Sequence, residues 1–459
     1  MKTIFLNLFS NAALLNFVYP GGPLDLLIQK AGGKYRIVVL LNAQLMDYVD
    51  RFKGVSNLEF VAIPKRETFT FLQKAFRFFY SYLIFTGTTR LLATFGARAD
   101  APPAGGNRHL AFIKSFIAHT FGKIPAMKTV VVPWLYQYFF SDRPYKALFE
   151  KYQPSLLYAA NIAFYPDTDL ILEARRHGVI SVGMPVNWDH LNKYFIPMRT
   201  DYLLIQNEPM HKEAVELQAY SWEDVIPVGF SQFDSYFQPE KHIQNRKEFF
   251  EYFGIKDIRT KIILFISGSV YSPDEGDVLE EIARWIKENR FEGPVTLMVR
   301  PYVGKRSIAK DKEKYQALEE DPNVVFNWRQ DNNNLEAKNN YMGMYFYADV
   351  IISVFSTTAI EAAIFDKPTI TVGFDGFQKR PYHQSLARLE ELSHFRHVLD
   401  TGSVLVARSF DELYKMLEEY LKSPEKDADK RKDLMKKMCY GADGHASERI
   451  VDALLAKLS

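Results

Sequence analysis

A cluster of hydroxyl-bearing residues after an apolar stretch is the part of the 459-residue chain best suited to hold a phosphate. Ser356, Thr357 and Thr358 follow the apolar residues Val350–Ser353, and a helix is predicted to begin among them. Hydroxyl side chains favour helix starts, and the free backbone N–H groups there attract anions. Glu361 comes about one turn later, where its carboxylate can accept hydrogen bonds from ribose hydroxyls. The segment therefore predicts a nucleotide site.

A capping box is an alternative explanation for part of this segment. In a capping box, a hydroxyl at the helix start bonds a backbone N–H three residues on, and a glutamate at that position bonds back. Thr358 and Glu361 have the required spacing. The capping box leaves Ser356 and Thr357 unexplained, and the phosphate site is the interpretation we favour.

Two more segments of the second half carry groups that could bind a phosphate. Ser267, Gly268 and Ser269 follow an apolar stretch at residues 261–266, and a glycine there lets a diphosphate come close to the backbone. An ordinary strand–helix turn is the alternative. Arg300 follows the next apolar stretch and can neutralise a departing diphosphate through bidentate contacts, in place of a metal. A surface salt bridge is the alternative for Arg300.

Other polar residues are weaker candidates. Asn327 ends a further predicted strand. In the first half, Asp189 and His190 lie in a predicted loop after a strand, and either can take a proton from an acceptor hydroxyl. A structural role is the alternative for both. Asp167 and Asp169 have the D-x-D spacing of some metal sites, but acids are also favoured at a helix start, and no metal is predicted.

The bulk composition excludes several classes of protein. A formal net charge of +2 does not favour nucleic-acid binding. The single cysteine, Cys439, excludes internal disulfides and suits a reducing compartment. We find no signal peptide and no apolar run of the roughly 18 to 20 residues that a membrane span needs. The sequence therefore predicts a cytoplasmic protein.

One stretch is basic and aromatic. Between Thr68 and Ser141 the only acidic residue is Asp100. The basic residues are Lys74, Arg77, Arg90, Arg98, Arg108, Lys114, Lys123 and Lys128. On a helix, Leu72, Phe76, Phe79 and Leu83 would share one face, with Lys74 and Arg77 on the other. Two interpretations stay open: a core helix with a solvated back, or a peripheral contact of residues 68–130 with the inner membrane face.

The elements that position these residues form two series of alternating strands and helices. The first series has predicted strands at residues 4–8, 36–41, 58–63, 155–159, 180–184 and 202–205. The second has them at residues 261–266, 295–299, 324–326, 350–353 and 369–372. Helices are predicted at residues 169–177, 209–217 and 277–289. Short apolar strands alternating with helices predict an α/β fold with two parallel sheets that bind ligands in the cleft between them, outside the carboxyl ends of the strands.

The predicted domains are residues 1–237 and 238–459. A charged and polar stretch at residues 237–256 precedes the second series and places the boundary near Gln238. A charged helical segment at residues 427–459 is expected to pack near the domain interface. The composition of residues 97–106 predicts a flexible surface loop.

The segment from Asp349 to Ile370 resembles the donor-binding segment of GT-B glycosyltransferases and their relatives. These relatives are the CDP-glycerol glycerophosphotransferases and the UDP-N-acetylglucosamine 2-epimerases. The matching residues are Asp349, Ser353, Ser356, Thr357, Glu361, Lys367 and Pro368. The resemblance implies two Rossmann-like domains facing a central cleft, with the nucleotide on the second and the acceptor on the first. It also implies that Asn327, at the end of its strand, contacts the nucleotide base.

A second resemblance is to bacterial GT-B proteins of capsule and surface-polysaccharide synthesis. Its residues read G-M-P-V-N-W-D-H-L-N-K at 183–193, D-Y-L-L-I-Q-N-E at 201–208 and P-V-G-F-S-Q-F-D at 227–234. The chain departs from the family pattern at Asn187, His190 and Asn192, and at Tyr194 and Phe195, which stand where Lys and Gly are usual. Arg300-Pro301 also resembles an R-P-H-P element of these families, with Tyr302 in place of the histidine.

Together these resemblances imply metal-independent transfer of a sugar from a nucleotide-sugar, with no further cofactor. The acceptor implied is a glycan or a lipid-linked glycan. Two alternatives share the cleft: a CDP-glycerol-type phosphotransferase, which Tyr302 disfavours, and a non-catalytic nucleotide-binding protein. A 2-epimerase needs several acidic residues around the sugar ring, and the sequence does not place them.

Overall fold

A computed structural model describes residues 1–66, 68–96, 110–268, 271–302, 308–328 and 335–458. The chain forms two compact units. Unit 1 comprises Met1–Thr89, Phe112–Asp234 and Cys439–Ser459, and unit 2 comprises Arg90–Ala111 and Ser235–Met438. The main division falls between Asp234 and Ser235, whereas the sequence placed the boundary near Gln238. Residues 90–111 and the last segment of the chain also fall in the opposite unit from the one that the sequence predicts.

Unit 1 is built on a seven-stranded parallel sheet. Its strands are β1 (Lys2–Asn7), β2 (Tyr35–Leu41), β3 (Leu58–Ala62), β4 (Pro154–Ala159), β5 (Ile180–Gly183), β6 (Tyr202–Ile205) and β7 (Val225–Pro227). Their order in the sheet is β3-β2-β1-β4-β5-β6-β7. The central strands are almost fully buried, as expected for apolar strands covered by helices on both faces.

The helices of unit 1 follow these strands. They are α1 (Asn11–Val18), α2 (Pro23–Ala31), α3 (Phe71–Ser81), α4 (Gly87–Phe95, which continues into unit 2), α5 (Ala111–Thr120), α6 (Val132–Phe139), α7 (Lys146–Tyr152), α8 (Asp167–Arg176), α9 (His190–Lys193) and α10 (Glu208–Glu216). A 3₁₀ segment covers Ala43–Phe52, and a π-helical turn at Met127–Val131 leads into α6.

Unit 2 has a six-stranded parallel sheet. Its strands are β8 (Lys261–Ile266), β9 (Val295–Arg300), β10 (Val324–Phe326), β11 (Val350–Ser353), β12 (Thr369–Val372) and β13 (Val404–Ala407), in the order β10-β9-β8-β11-β12-β13. The helices are α11 (Arg246–Tyr252), α12 (Glu275–Lys287), α13 (Ile308–Tyr315), α14 (Leu335–Tyr347), α15 (Thr358–Ile364), α16 (Ser393–Leu399), α17 (Phe410–Lys422) and α18 (Ala428–Met438).

The last helix, α19 (Ala446–Ala456), belongs to unit 1. Ile450, Val451 and Leu454 are fully buried there, in the same core as α2 and the central strands. The Asp234 carboxylate accepts the backbone N–H groups of Ala446 and Ser447, each at 2.9 Å, and thereby caps the helix. Residues 427–459 are thus two helices, and the second of them completes the core of unit 1.

The sequence-based strands are confirmed to within one or two residues, but two strands were missed. β7 and β13 contain three and four residues, and parts of both are only half buried, although each is a continuous apolar run. In both sheets the strand order reverses between the first and fourth strands, which are β1 and β4 in unit 1 and β8 and β11 in unit 2. Ligands of such sheets bind beyond the carboxyl ends of the strands at this reversal.

Candidate nucleotide and acceptor sites

The loops after β8 and β11 meet at the reversal of the unit 2 sheet. Gly268 lies where an added Cβ would come within 2.7 Å of Val354 Cγ2 and 3.0 Å of Ser272 Cβ. A glycine is therefore required for the two loops to pack. Ser269 lies outside the described residues.

The donors of the first loop are bonded to a buried carboxylate. Ser267 Oγ donates to Glu275 Oε1 at 2.6 Å, and the Gly268 N–H donates to Glu275 Oε2 at 2.8 Å. Tyr315 also donates to Glu275, which is 1% exposed and whose pKa is raised by burial. The hydrogen-bond donors of Ser267 and Gly268, which the sequence assigned to a phosphate, are therefore already bonded to Glu275.

The second loop leads into α15 without a capping box. Thr357 is the N-cap residue and makes no side-chain capping bond, while the Thr358 N–H donates to Ser356 Oγ at 3.3 Å. Glu361 bonds tyrosine hydroxyls instead of the helix start. The capping-box alternative is therefore wrong, and the Glu361 carboxylate is directed to other partners.

Glu361 lies in a cluster of tyrosines. Tyr236 Oη donates to Oε2 at 2.9 Å, and Tyr341 Oη lies 3.3 Å from Oε1. Tyr345 Oη is 2.8 Å from Tyr341 Oη. Burial raises the pKa of Glu361 to about 7, although the hydroxyls and the charge of Arg300 favour the ionised form. A carboxyl of this kind exchanges its proton near neutral pH.

Arg300 joins this cluster from the end of β9. Its guanidinium carbon lies 4.2 Å from the centroid of the Tyr341 ring, a cation–π contact that holds the side chain beside Glu361. We call Arg300, Glu361, Tyr236 and Tyr341 the Arg–Glu–Tyr cluster. It combines a fixed positive charge, a titratable acceptor and hydroxyl donors, which are the groups that a nucleoside diphosphate needs.

Asn327 is buried near this edge of the sheet. Its Nδ2 donates to Met344 Sδ at 3.2 Å, and the residue is 5% exposed. The next residue, Trp328, stacks on Phe326 with ring centroids 5.7 Å apart. The weak thioether acceptor is easily exchanged for a ligand, which keeps Asn327 a candidate for contact with the base.

In unit 1, Asp189 and His190 begin the short helix α9. The Asp189 carboxylate accepts a hydrogen bond from Lys193 Nζ. The His190 ring packs edge-on against Phe164 and Tyr194, and burial lowers its pKa to about 4. His190 is therefore neutral at pH 7, and its ring can accept a proton only weakly.

The D-x-D pair has structural partners. Asp167 Oδ1 accepts the Asn161 N–H at 2.7 Å, and Asp169 accepts hydrogen bonds from Tyr136 at 2.8 Å and Arg66 at 2.9 Å. Asp167 is 1% exposed, and burial raises its pKa to about 7. Both acids lie in the first turn of α8, but Pro166 is the N-cap residue and makes no capping bond, so the two carboxylates connect α8 to neighbouring segments and do not cap it.

A small pocket opens at the carboxyl ends of β4, β5 and β6. Its lining includes Phe17, Tyr158, Ala160, Met184, Gln206 and Ser231. The Gln206 Oε1 atom is buried and has no hydrogen-bond partner among the described residues. An unpaired buried acceptor beside a small pocket suits a ligand that carries a hydroxyl or N–H group.

Several motif residues of unit 1 turn out to hold the fold. Asp201 accepts the N–H and hydroxyl of Ser181 at 2.8 and 2.7 Å, and Asn207 caps α10. Gly229 has φ +94° and lies where a Cβ would be 2.7 Å from the Tyr440 carbonyl oxygen. Sequence reasoning missed these roles, and it also missed Tyr236 and Tyr341, which carry no motif.

The comparisons agree with this architecture. Residues 319–456 match the family model of CDP-glycerol:poly(glycerophosphate) glycerophosphotransferases. No curated protein matches the chain significantly. The fold resembles that of a UDP-N-acetylglucosamine 2-epimerase candidate from Listeria monocytogenes, with a TM-score of 0.58 and 12% identity over 100% of this chain and 97% of that one.

Two further solved structures are similar. The Neisseria meningitidis UDP-GlcNAc 2-epimerase bound to UDP-GlcNAc gives a TM-score of 0.56 and 12% identity, covering 99% of this chain and 100% of that one. A glycosyltransferase from Rickettsia africae gives 0.53 and 9%, covering 99% and 98%. The class of fold is therefore GT-B, with two Rossmann-like domains. The chain resembles GT-B glycosyltransferases, CDP-glycerol glycerophosphotransferases and these epimerases, and identities this low establish the fold alone.

Among the described residues, no helix is long and apolar enough to cross a membrane.

Proposed function

We propose that the chain is a metal-independent glycosyltransferase that moves a sugar from a nucleotide-sugar to a hydroxyl of a glycan or lipid-linked glycan in surface-polysaccharide synthesis. The observation that carries the proposal is the Arg–Glu–Tyr cluster beside the reversal of the unit 2 sheet. The family match over residues 319–456, which include Ser356 and Glu361, supports the same region as the donor site.

In this proposal the cluster holds the nucleotide diphosphate. Arg300 neutralises the charge that develops on the diphosphate as the sugar leaves, which is the role a divalent ion has in other transferases. Glu361 in its ionised form accepts the ribose hydroxyls, and Ser356, Thr357 and Thr358 contact phosphate. Ser267 and Gly268 support the site through Glu275, and Asn327 contacts the base.

The acceptor binds to unit 1 in this proposal. The pocket at the ends of β4, β5 and β6 offers Gln206 Oε1 to a hydroxyl of the acceptor. Either Asp189 or His190 takes the proton of the attacking hydroxyl. Both stay candidates, because His190 is neutral at pH 7 and the Asp189 carboxylate already accepts a hydrogen bond from Lys193.

A CDP-glycerol-type glycerophosphotransferase is the second candidate, and the family match is the observation that favours it. Such an enzyme would use the same cluster for a CDP-linked donor and would form a phosphodiester instead of a glycosidic bond. Tyr302, in place of the histidine of the family's R-P-H-P element, disfavours it. The identity of the stabilising nucleotide separates the two candidates.

A thermal-shift screen with UDP-, GDP-, CMP-, CDP- and dTDP-linked compounds, each with and without EDTA, tests the proposal. A ligand at about 100 times its Kd stabilises a protein by roughly 2.7 kcal/mol, a shift of several degrees for a single domain. We expect one nucleotide to raise Tm with EDTA present, and the shift to vanish in Arg300→Ala and Glu361→Gln.

Arg259→Ala is the matched control, because Arg259 lies in the same unit, is highly exposed and pairs only locally with Asp257. It should keep the full shift. No shift with any compound would overturn the transferase proposal, and a shift confined to CDP-glycerol would favour the second candidate. A third outcome is nucleotide binding without turnover, with that binding unchanged in Asp189→Ala and His190→Ala. It would indicate a non-catalytic binding protein.

A further inference from the structure

Helix α5 has its apolar side chains on the outside. Phe112 is 80% exposed and Phe116 is 52% exposed, whereas Lys114 and Ile117 are buried. The Lys114 ammonium is directed inwards, 5.1 Å from the centroid of the Tyr82 ring. This is the reverse of an ordinary surface helix, in which lysine faces water and phenylalanine faces the core.

The helical turns that end in α6 repeat this arrangement. Val130, Trp134 and Tyr138 are four residues apart, so they form a stripe along one face, and each is more than 60% exposed. The Trp134 and Tyr138 rings are stacked, with centroids 6.4 Å apart. Lys128, in the preceding turn, is buried and donates to the Leu217 carbonyl at 3.0 Å.

Helix α3 connects these two faces but is itself mostly a core helix. Phe76 and Leu83 are buried, so the core-helix interpretation holds for that face, whereas Phe71 and Leu72 at its first turn are exposed. Phe76 lies 5.0 Å from Phe139 of α6, between ring centroids. At the other end of α3, Phe79 lies 5.4 Å from Phe121, which directly follows α5. The three helices are therefore contiguous.

The surroundings of these helices are basic. Asp100, the only acid between Thr68 and Ser141, lies outside the described residues. Lys74 and Lys123 are exposed beside the aromatic side chains. A surface that combines protruding aromatic residues with an excess of positive charge complements a layer with an apolar interior and anionic head groups. A protein partner would need only the apolar part.

We propose that this outer aromatic face binds the surface of an anionic lipid bilayer. The face is defined by Phe71, Leu72, Phe112, Phe116, Val130, Trp134 and Tyr138. The aromatic side chains enter the interface between head groups and acyl chains, where tryptophan and tyrosine are favoured, and the lysines contact lipid phosphates. The inference does not depend on the donor or on the reaction.

Vesicle co-sedimentation of the full chain tests this proposal. We expect at least tenfold tighter binding to phosphatidylcholine vesicles containing 30% phosphatidylglycerol than to pure phosphatidylcholine, weakening as salt is raised. The triple variant Phe112→Ser/Phe116→Ser/Trp134→Ser should bind the anionic vesicles at least tenfold less. Because these side chains are exposed, its Tm should match that of the parent protein.

The matched control is Trp222→Ser/Ile258→Ser/Phe377→Ser, which removes three exposed apolar residues elsewhere. It should bind vesicles like the parent. Equal loss in both triple variants, or no binding to either vesicle, would overturn the proposal. The proposal would also be overturned if the parent protein were a dimer and the first triple variant became monomeric with its vesicle binding unchanged. Nucleotide-induced thermal shifts should be unchanged in both triple variants, which separates this outcome from failure of the proposed function.

Discussion

The two sheets present a buried carboxyl at matching places, but with different partners. Asp167 follows the fourth strand of unit 1 and Glu361 follows the fourth strand of unit 2, and burial raises the pKa of each to about 7. Asp167 accepts a backbone N–H, that of Asn161. Glu361 accepts side-chain hydroxyls and lies beside the guanidinium of Arg300.

The comparison teaches that burial and a shifted pKa do not by themselves identify a functional acid. A carboxyl that accepts the backbone N–H of a residue earlier in the chain closes a loop. A ligand would have to break that hydrogen bond to reach the carboxyl. A carboxyl bonded to tyrosine hydroxyls can exchange those bonds for a ligand's hydroxyls at little cost. We therefore expect Asp167 to act in folding and Glu361 to act in binding.

The largest effect that would test this comparison is on turnover. Glu361→Ala should lower kcat/KM for the nucleotide donor by roughly 1,000-fold, about 4 kcal/mol, because it removes the ribose acceptor and leaves Arg300 and the tyrosines without their partner. Asp167→Asn should stay within threefold of the parent. Steady-state kinetics with the donor found by the thermal-shift screen provides the measurement. Equal losses in the two variants would break the comparison.

The pH dependence of folding should be the next largest effect. Between pH 4.5, the ordinary pKa of glutamate, and about 7, folded Glu361 keeps a proton that the unfolded chain has lost. Stability therefore falls as pH rises through this window, by roughly 3 kcal/mol, and is level above it. Glu361→Gln should remove this fall, and Asp167→Asn should remove a similar one. Urea unfolding from pH 4 to 8 measures both, and unchanged slopes in the variants would contradict the assignment.

Removal of the loop-closing carboxyl should have a smaller effect, on stability alone. Asp167→Ala leaves the buried Asn161 N–H without its acceptor, which should lower the free energy of unfolding by about 2 kcal/mol at pH 7. Donor affinity should be unchanged when measured well below Tm. Weaker donor binding with no loss of stability would assign Asp167 to the site and reverse the comparison.

The smallest effect concerns the helix caps of the two units. Asp234→Ala should cost about 1 kcal/mol because it uncaps α19, and Ser409→Ala should cost a similar amount because it uncaps α17 of unit 2. Hydrogen exchange should localise the first change to the amides of Ala446 and Ser447 and the second to that of Glu412. Faster exchange in the other unit would show that these caps stabilise more than their own helices.

Most of the strands could be predicted because parallel strands buried on both faces read as short apolar runs. β7 and β13 were missed although they are also apolar, and β10, which is as short and as exposed as β7, was predicted. Apolar runs of three or four residues also occur outside strands, so such a run does not by itself identify a strand. That α19 belongs to unit 1 could not be predicted from the sequence either. Its apolar stripe indicates that it packs, but the stripe does not identify which core it packs against.

The candidate site was predictable only where a motif marked it. Arg300 and Glu361 stand next to strand ends and could be named, but Tyr236 lies 125 residues before Glu361 and no spacing rule connects them. Ser267 and Gly268 were recognised as donors, whereas their acceptor, Glu275, was not. The sequence shows that a residue can donate a hydrogen bond, but it does not show which acceptor in the folded protein receives that bond.

Because α19 belongs to the core of unit 1, this core can be completed only at the end of synthesis on the ribosome. The sheet of unit 1 is made early, but Ile450, Val451 and Leu454, which complete its core, emerge only after Ser235–Met438 has been translated. At 5–20 residues per second, those roughly 200 residues take about 10–40 s. Throughout that delay the nascent chain carries an open apolar groove, and chaperones have that interval in which to bind it.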